Sequence, residues 1–85
     1  MTVHEVDVRE LECPKAVAKA MRKLAEARVG DVVIVVSNSR DCVKSLASSV
    51  VRLGIGTVSL SKEGDSYVLR IVKSSQTATP SDYAC

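Results

Sequence analysis

Val32-Val33-Ile34-Val35-Val36 is an unbroken β-branched run set between two amphipathic stretches, and it restricts the fold more than any other feature of the chain. Such a run reads as a central strand covered on both faces. Upstream, Val17, Ala20, Met21, Leu24 and Ala27 recur at helical spacing, which predicts a helix over about residues 14–27 with that stripe buried. Downstream, Ser39 is a good cap before Arg40-Asp41, and Val43, Leu46, Ala47 and Val50 line one face of a second helix. Gly54 is suited to close it, because glycine tolerates a left-handed C-terminal cap.

Two more patterns complete the order. Residues 3–8 alternate, with Val6 and Val8 on one face and Glu5 and Asp7 on the other. Residues 57–62 and 67–72 read as strands joined by a hairpin turn at Glu63-Gly64-Asp65. The sequence therefore predicts β-α-β-α-β-β, with parallel pairing favoured in the β-α-β units and an antiparallel final hairpin. Two helices cannot easily cover both faces of four strands. The expected architecture is an α/β (α+β) two-layer sandwich, with both helices on one face of a four-stranded mixed sheet. One face of the apolar second strand would then stay uncovered, an apolar patch open to weak self-association or to a partner.

The bulk numbers bound the rest. At 85 residues the chain is one small domain, expected over 1–73, with a polar, flexible tail over 74–85. It is 46% hydrophobic but only 2% aromatic, so its core must be aliphatic. No stretch approaches the roughly 20 apolar residues that span a bilayer, and the N-terminus is too polar for a secretory signal. The net charge of +2 argues neither for nor against nucleic acid. No glycine-rich phosphate loop is present, and no cofactor is expected. His4, the only histidine, reads as an exposed strand residue without further ligands at usable spacing, so no metal is expected. The three cysteines lack a C-x-x-C pair and suggest neither a disulfide framework nor a zinc site; they fit a reducing cytoplasm.

Chemistry concentrates where the first strand gives way to the first helix, at Leu11-Glu12-Cys13-Pro14-Lys15-Ala16. Proline suits the first helical position, which places Cys13 just before the helix, near its positive end and among unpaired N–H groups. A thiol there is biased toward thiolate, the form that attacks sulfur electrophiles. Glu10 and Glu12 oppose that bias by like-charge repulsion, and Lys15 supports it.

At these residues the chain resembles the TusA-like (SirA-like) family of small sulfur carriers, whose members open with a strand, a Leu-x-Cys-Pro-x-Pro stretch and a helix starting at the Cys-Pro. The resemblance extends through the element order over roughly residues 4–73. Ala16 replaces the second proline, and Glu10 stands where the family commonly has glycine. The resemblance implies a sulfurtransferase-like function: Cys13 accepts sulfane sulfur as a persulfide and passes it to a partner protein. The donor would be a cysteine desulfurase or rhodanese-like protein. Downstream uses would be tRNA thiolation, sulfur oxidation or cofactor maturation. Pro14, Lys15 and Ala16 would support the helix start, the Lys15 and Ala16 amides facing the sulfur anion. Lys15, Lys19, Arg22 and Lys23 would dock an acidic partner surface.

Two other classes stay open. A nucleic-acid module could use the basic first helix, although the chain has no Phe or Trp for base stacking. A thiol switch could pair Cys13 with Cys85, at the end of the tail, or with Cys42. Cys42 falls in the first turn of the second helix, beside Val43, and reads as a structural residue.

Overall fold

The computed structural model describes residues 2–74. Its elements are β1 (Val3–Asp7), α1 (Cys13–Glu26), β2 (Val32–Ser37), α2 (Arg40–Arg52), β3 (Gly56–Glu63) and β4 (Ser66–Lys73). They form one four-stranded mixed sheet in the order β1-β2-β4-β3, with β1 parallel to β2 and β4 antiparallel to both of its neighbours. The strand that enters between β2 and β3 is therefore the last one, β4. The β2–α2–β3 connection leaves a gap that the hairpin fills, a layout that strand order alone did not specify.

The register explains the two layers. Val33 pairs with Ile71, which pairs with Val58; Val35 pairs with Leu69, which pairs with Leu60. The inner face of this grid joins Val6 and Val8 of the first strand region with Ala16, Ala20, Leu24, Val43, Leu46 and Val50 of the helices in a single aliphatic core. Burying aliphatic groups on this scale contributes about 25 cal/mol per Å² of apolar area removed from water. Small alanines on α1 let that helix lie close to the sheet. Val17 and Met21, expected in its buried stripe, are only partly buried, and Ala16 takes the deeper position.

Turn chemistry follows the residue types. The β3–β4 loop has two residues, Gly64 and Asp65, between the paired Glu63 and Ser66. Gly64 takes a φ of 59°, and among the described residues no non-glycine has positive φ, so the turn has the pattern of a type II′ hairpin. Gly54 follows α2 with a φ of 68°, as its C-terminal cap requires.

The outer face of the sheet carries apolar side chains along β2 and is crossed by a row that holds charges. Ile34, Val36 and Val68 are half-buried there, Val3 and Val72 exposed, and the row Glu5–Ile34–Arg70–Ser59 carries one charge of each sign. The expected uncovered patch is thus present but interrupted by charge. His4 departs from expectation: it is half-buried, with Nε2 3.1 Å from Asp31 Oδ2, because the β2 entry loop folds back over β1. Among the described residues no cluster of His, Cys, Asp or Glu could hold a metal ion, and no helix is long and apolar enough to cross a membrane.

Candidate functional site

Because β1 and β2 are parallel neighbours, the loops that leave their C-terminal ends open on the same side of the molecule. Each loop leads directly into a helix, so the N-termini of α1 and α2 meet at one corner. Cys13 opens α1, and Cys42 lies in the first turn of α2. Their Cα atoms are 5.4 Å apart, and the two sulfurs are joined in a disulfide. That spacing lies in the range disulfides require. Cys42 Sγ also lies 3.6 Å from the Cys13 carbonyl oxygen, packed over the start of α1.

The two cysteines are not equivalent. Cys13 is exposed, whereas Cys42 is 4% exposed and belongs to the aliphatic core. The helix ends differ too. Ser39 caps α2 by accepting the Cys42 N–H through its hydroxyl at 3.2 Å. At α1 the cap residue is Glu12, whose side chain makes no capping bond, and no acidic residue occupies the first turn. The first turn of a helix leaves its N–H groups without helical acceptors, so the α1 end presents donors beside Cys13.

Several expectations are corrected at this corner. Cys13 is itself the first helical residue and Pro14 the second, one position later than the proline rule placed them. Ala16 does not offer its amide to a sulfur anion: that N–H donates to the Glu12 carbonyl at 2.8 Å, and the side chain is buried. Lys15 remains exposed on the turn. Cys42 is buried in the core beside Val43 and is also the partner bonded to Cys13, so the expectation of no disulfide framework does not hold. Nothing in local sequence signals the pair, since 29 residues separate the two and only the parallel β1–β2 pairing unites them. Cys85 lies outside the described residues.

The basic side of α1 is less uniformly positive than its sequence suggested. Lys19, Arg22 and Lys23 line a groove against β1 in which Glu5, Asp7 and Glu26 also stand. Lys23 Nζ lies 3.5 Å from Glu26 Oε2. A second open groove, bounded by Asp7, Arg9, Glu10, Leu11, Lys19 and Asn38, runs between the two strand–helix loops. On its rim Arg9 binds Asp7 through two side-chain contacts of 3.0 and 2.7 Å. The Arg9 side-chain and backbone donors hold the Asp7 carboxyl down at about 2, and the same carboxylate raises the Arg9 pKa.

At the opposite end of α1 lies a polar cluster that the sequence reading missed. Lys73 is fully buried, and its Nζ donates to the carbonyls of Leu24 and Ala27, each at 2.7 Å. Burial lowers its pKa, opposed by the nearby Asp31. Asp31 accepts the Arg28 N–H and the Thr2 N–H, both at 3.0 Å, beside His4. The Arg28 amide, then His4 and the Thr2 amide, hold its carboxyl well below the ordinary range. Lys73 could have been flagged only as a charge in phase with the buried residues Leu69 and Ile71 of β4.

A family model described as Sulfurtransferase TusA matches residues 4–73. Neither the curated proteins nor the solved structures yield a match. The matched span runs from β1 to Lys73 at the end of β4, taking in both helix N-termini and the cysteine pair, and the chain belongs to the TusA sulfurtransferase family.

Proposed function

We propose that this chain carries sulfane sulfur on Cys13 between a donor and an acceptor protein in a reducing cytoplasm. The family works in sulfur relay with partner proteins in general, and that sets the class of chemistry. The observation that supports Cys13 as the carrier is its place: an exposed cysteine at the first residue of a helix whose cap residue makes no side-chain bond. Helix N-termini favour anions, and both a thiolate and a persulfide are anions at neutral pH.

The transfer is thiol exchange at sulfur. The Cys13 thiolate attacks the terminal sulfur of a donor persulfide, the donor's S–S bond breaks, and its thiolate leaves as Cys13–S–SH forms. Transfer onward repeats the exchange, with the acceptor thiolate attacking the outer sulfur. A cysteine desulfurase or rhodanese-like protein suits the donor role. Lys15, exposed in the same first turn of α1 as Cys13, is the best-placed docking contact. Lys19, Arg22 and Lys23 contribute less, because Glu5, Asp7 and Glu26 share their groove. That mixed charge also weakens the case for a phosphate-binding helix face.

The disulfide supports a second, compatible reading, a thiol switch between Cys13 and Cys42, one of the two pairings the sequence left open. Reduction would open the carrier for loading, and oxidation would close it. The test is intact mass. After reduction and treatment with glutathione persulfide, Cys42→Ser, in which Cys13 cannot close its disulfide with residue 42, should gain the mass of one sulfur atom, and Cys13→Ser should gain none at that position. A Cys42→Ser variant that gains no sulfur, or a Cys13→Ser variant that loads equally, overturns the proposal.

A further inference from the structure

We propose that Cys42 is a resolving nucleophile that discharges the Cys13 persulfide inside the chain and releases the sulfur as hydrosulfide. This rests on the carrier reading above. The carried sulfur would then have two exits: transfer to a partner thiol as a sulfane atom, or departure as a reduced, nucleophilic sulfide.

The geometry supplies each requirement of the step. Cys42 lies against Cys13 with a Cα separation of 5.4 Å, so the bond between the sulfurs forms without moving either helix. Both residues sit on first helical turns held by the core, and Cys42 is fixed further by its own N–H bond to the Ser39 hydroxyl. Reacting groups held in this way react as though at very high concentration. Burial divides the labour. Cys42, at 4% exposure, is shielded from donor proteins and cannot be loaded directly, while exposed Cys13 can. The Cys13 carbonyl oxygen lies 3.6 Å from the buried sulfur, and the Ser39 hydroxyl accepts the Cys42 amide N–H. No described residue offers a competing thiol.

In the step, the Cys42 thiolate, its proton given up to solvent, attacks the inner sulfur of Cys13–Sγ–SH. The Cys13 Sγ–Cys42 Sγ bond forms, the bond to the outer sulfur breaks, and the outer sulfur leaves with the electron pair as HS⁻. The two cysteines are oxidised to the disulfide while the sulfane sulfur is reduced to sulfide, so the electrons balance within the chain. The product is the disulfide present in this structure. A further cycle requires a dithiol reductant, which would attack the exposed Cys13 sulfur.

The test uses the full chain, reduced and loaded with glutathione persulfide, then freed of donor and reductant by rapid desalting. Trapped hydrosulfide and intact mass are followed together. Wild type and Cys85→Ser should both release stoichiometric hydrosulfide and finish with a Cys13–Cys42 disulfide on peptide mapping. Cys42→Ser and Cys42→Ala should load equally, keep the added sulfur, and release hydrosulfide at least about tenfold more slowly, since the preorganised nucleophile is gone. Equal release from the Cys42 variants, or loss of release in Cys85→Ser, overturns the proposal while leaving the carrier reading intact. Failure of every variant to load overturns both.

Discussion

At its C-terminal end α1 gives the carbonyls of Leu24 and Ala27 to the buried Lys73 ammonium, 2.7 Å from each, whereas at its N-terminal end Glu12 makes no side-chain cap and an exposed cysteine takes the first position. One end is saturated. Lys73 and Asp31 are buried and bonded, and among the described residues no buried side-chain N or O atom lacks a partner. The other end keeps donors and a sulfur facing solvent. The comparison teaches where a small aliphatic domain can leave chemistry open: at a helix start on the carboxyl side of parallel strands, braced by a closed polar cluster at the far end of the same helix. The α2 start beside it shows the alternative, since Ser39 caps that end and Cys42 is buried.

The largest effect should fall on the open end. Cys13→Ser should abolish sulfur loading by intact mass while leaving the denaturation midpoint of the reduced protein nearly unchanged, because the side chain is exposed. A large loss of stability in that variant would mean that the corner is structural.

The closed end predicts the reverse. Lys73→Met keeps the stem but removes the ammonium from two helix carbonyls, and should cost about 2 kcal/mol in urea unfolding, from lost charge-assisted hydrogen bonds. Loading of the folded fraction should persist. Unchanged stability would show that burying the charge offsets its bonds.

Acid should act on the same cluster. The Asp31 carboxyl is lowered in the folded chain from an ordinary value of 3.8, so its contribution is complete above that value and disappears as pH falls below it. Asp31→Asn should be less stable than wild type at neutral pH, with the gap narrowing below about pH 4 as the unfolded carboxyl takes up its proton. A gap constant with pH would remove the charge from the account. The smallest effect belongs to Lys15→Gln, exposed in the first turn of α1, which should slow loading from a protein donor by roughly two- to fivefold and relieve its salt dependence. No change with a protein donor would take Lys15 out of the docking surface.

Much of this could be read from residue order. The Val32–Val36 run, the alternation of residues 3–8 and the helical stripe around Leu24 fix the elements, since periodicity reports burial directly. Ser39 and Gly54 cap α2 as their chemistry dictates. Cys13-Pro14 marked the helix start to within one residue. The insertion of β4 between β2 and β3 was not legible, because strand order depends on long-range pairing. For the same reason the sequence could offer Cys13–Cys42 only as one of two open pairings: 29 residues separate the two, and only the β1–β2 register puts them together. Lys73 was missed because a charged residue at a strand end normally points to water, and here two carbonyls outweigh the solvent.

The central claim is that the open end of α1 activates one particular sulfur. Isotope-coded iodoacetamide labelling of the fully reduced chain, resolved by peptide at neutral pH, tests it most directly by comparing native buffer with strong urea. Cys13 should react at least about threefold faster in the native chain than in the unfolded one, and Cys42 far more slowly, because a helix start promotes thiolate and burial shields the thiol. A Cys13 that reacts no faster native than unfolded would contradict the account.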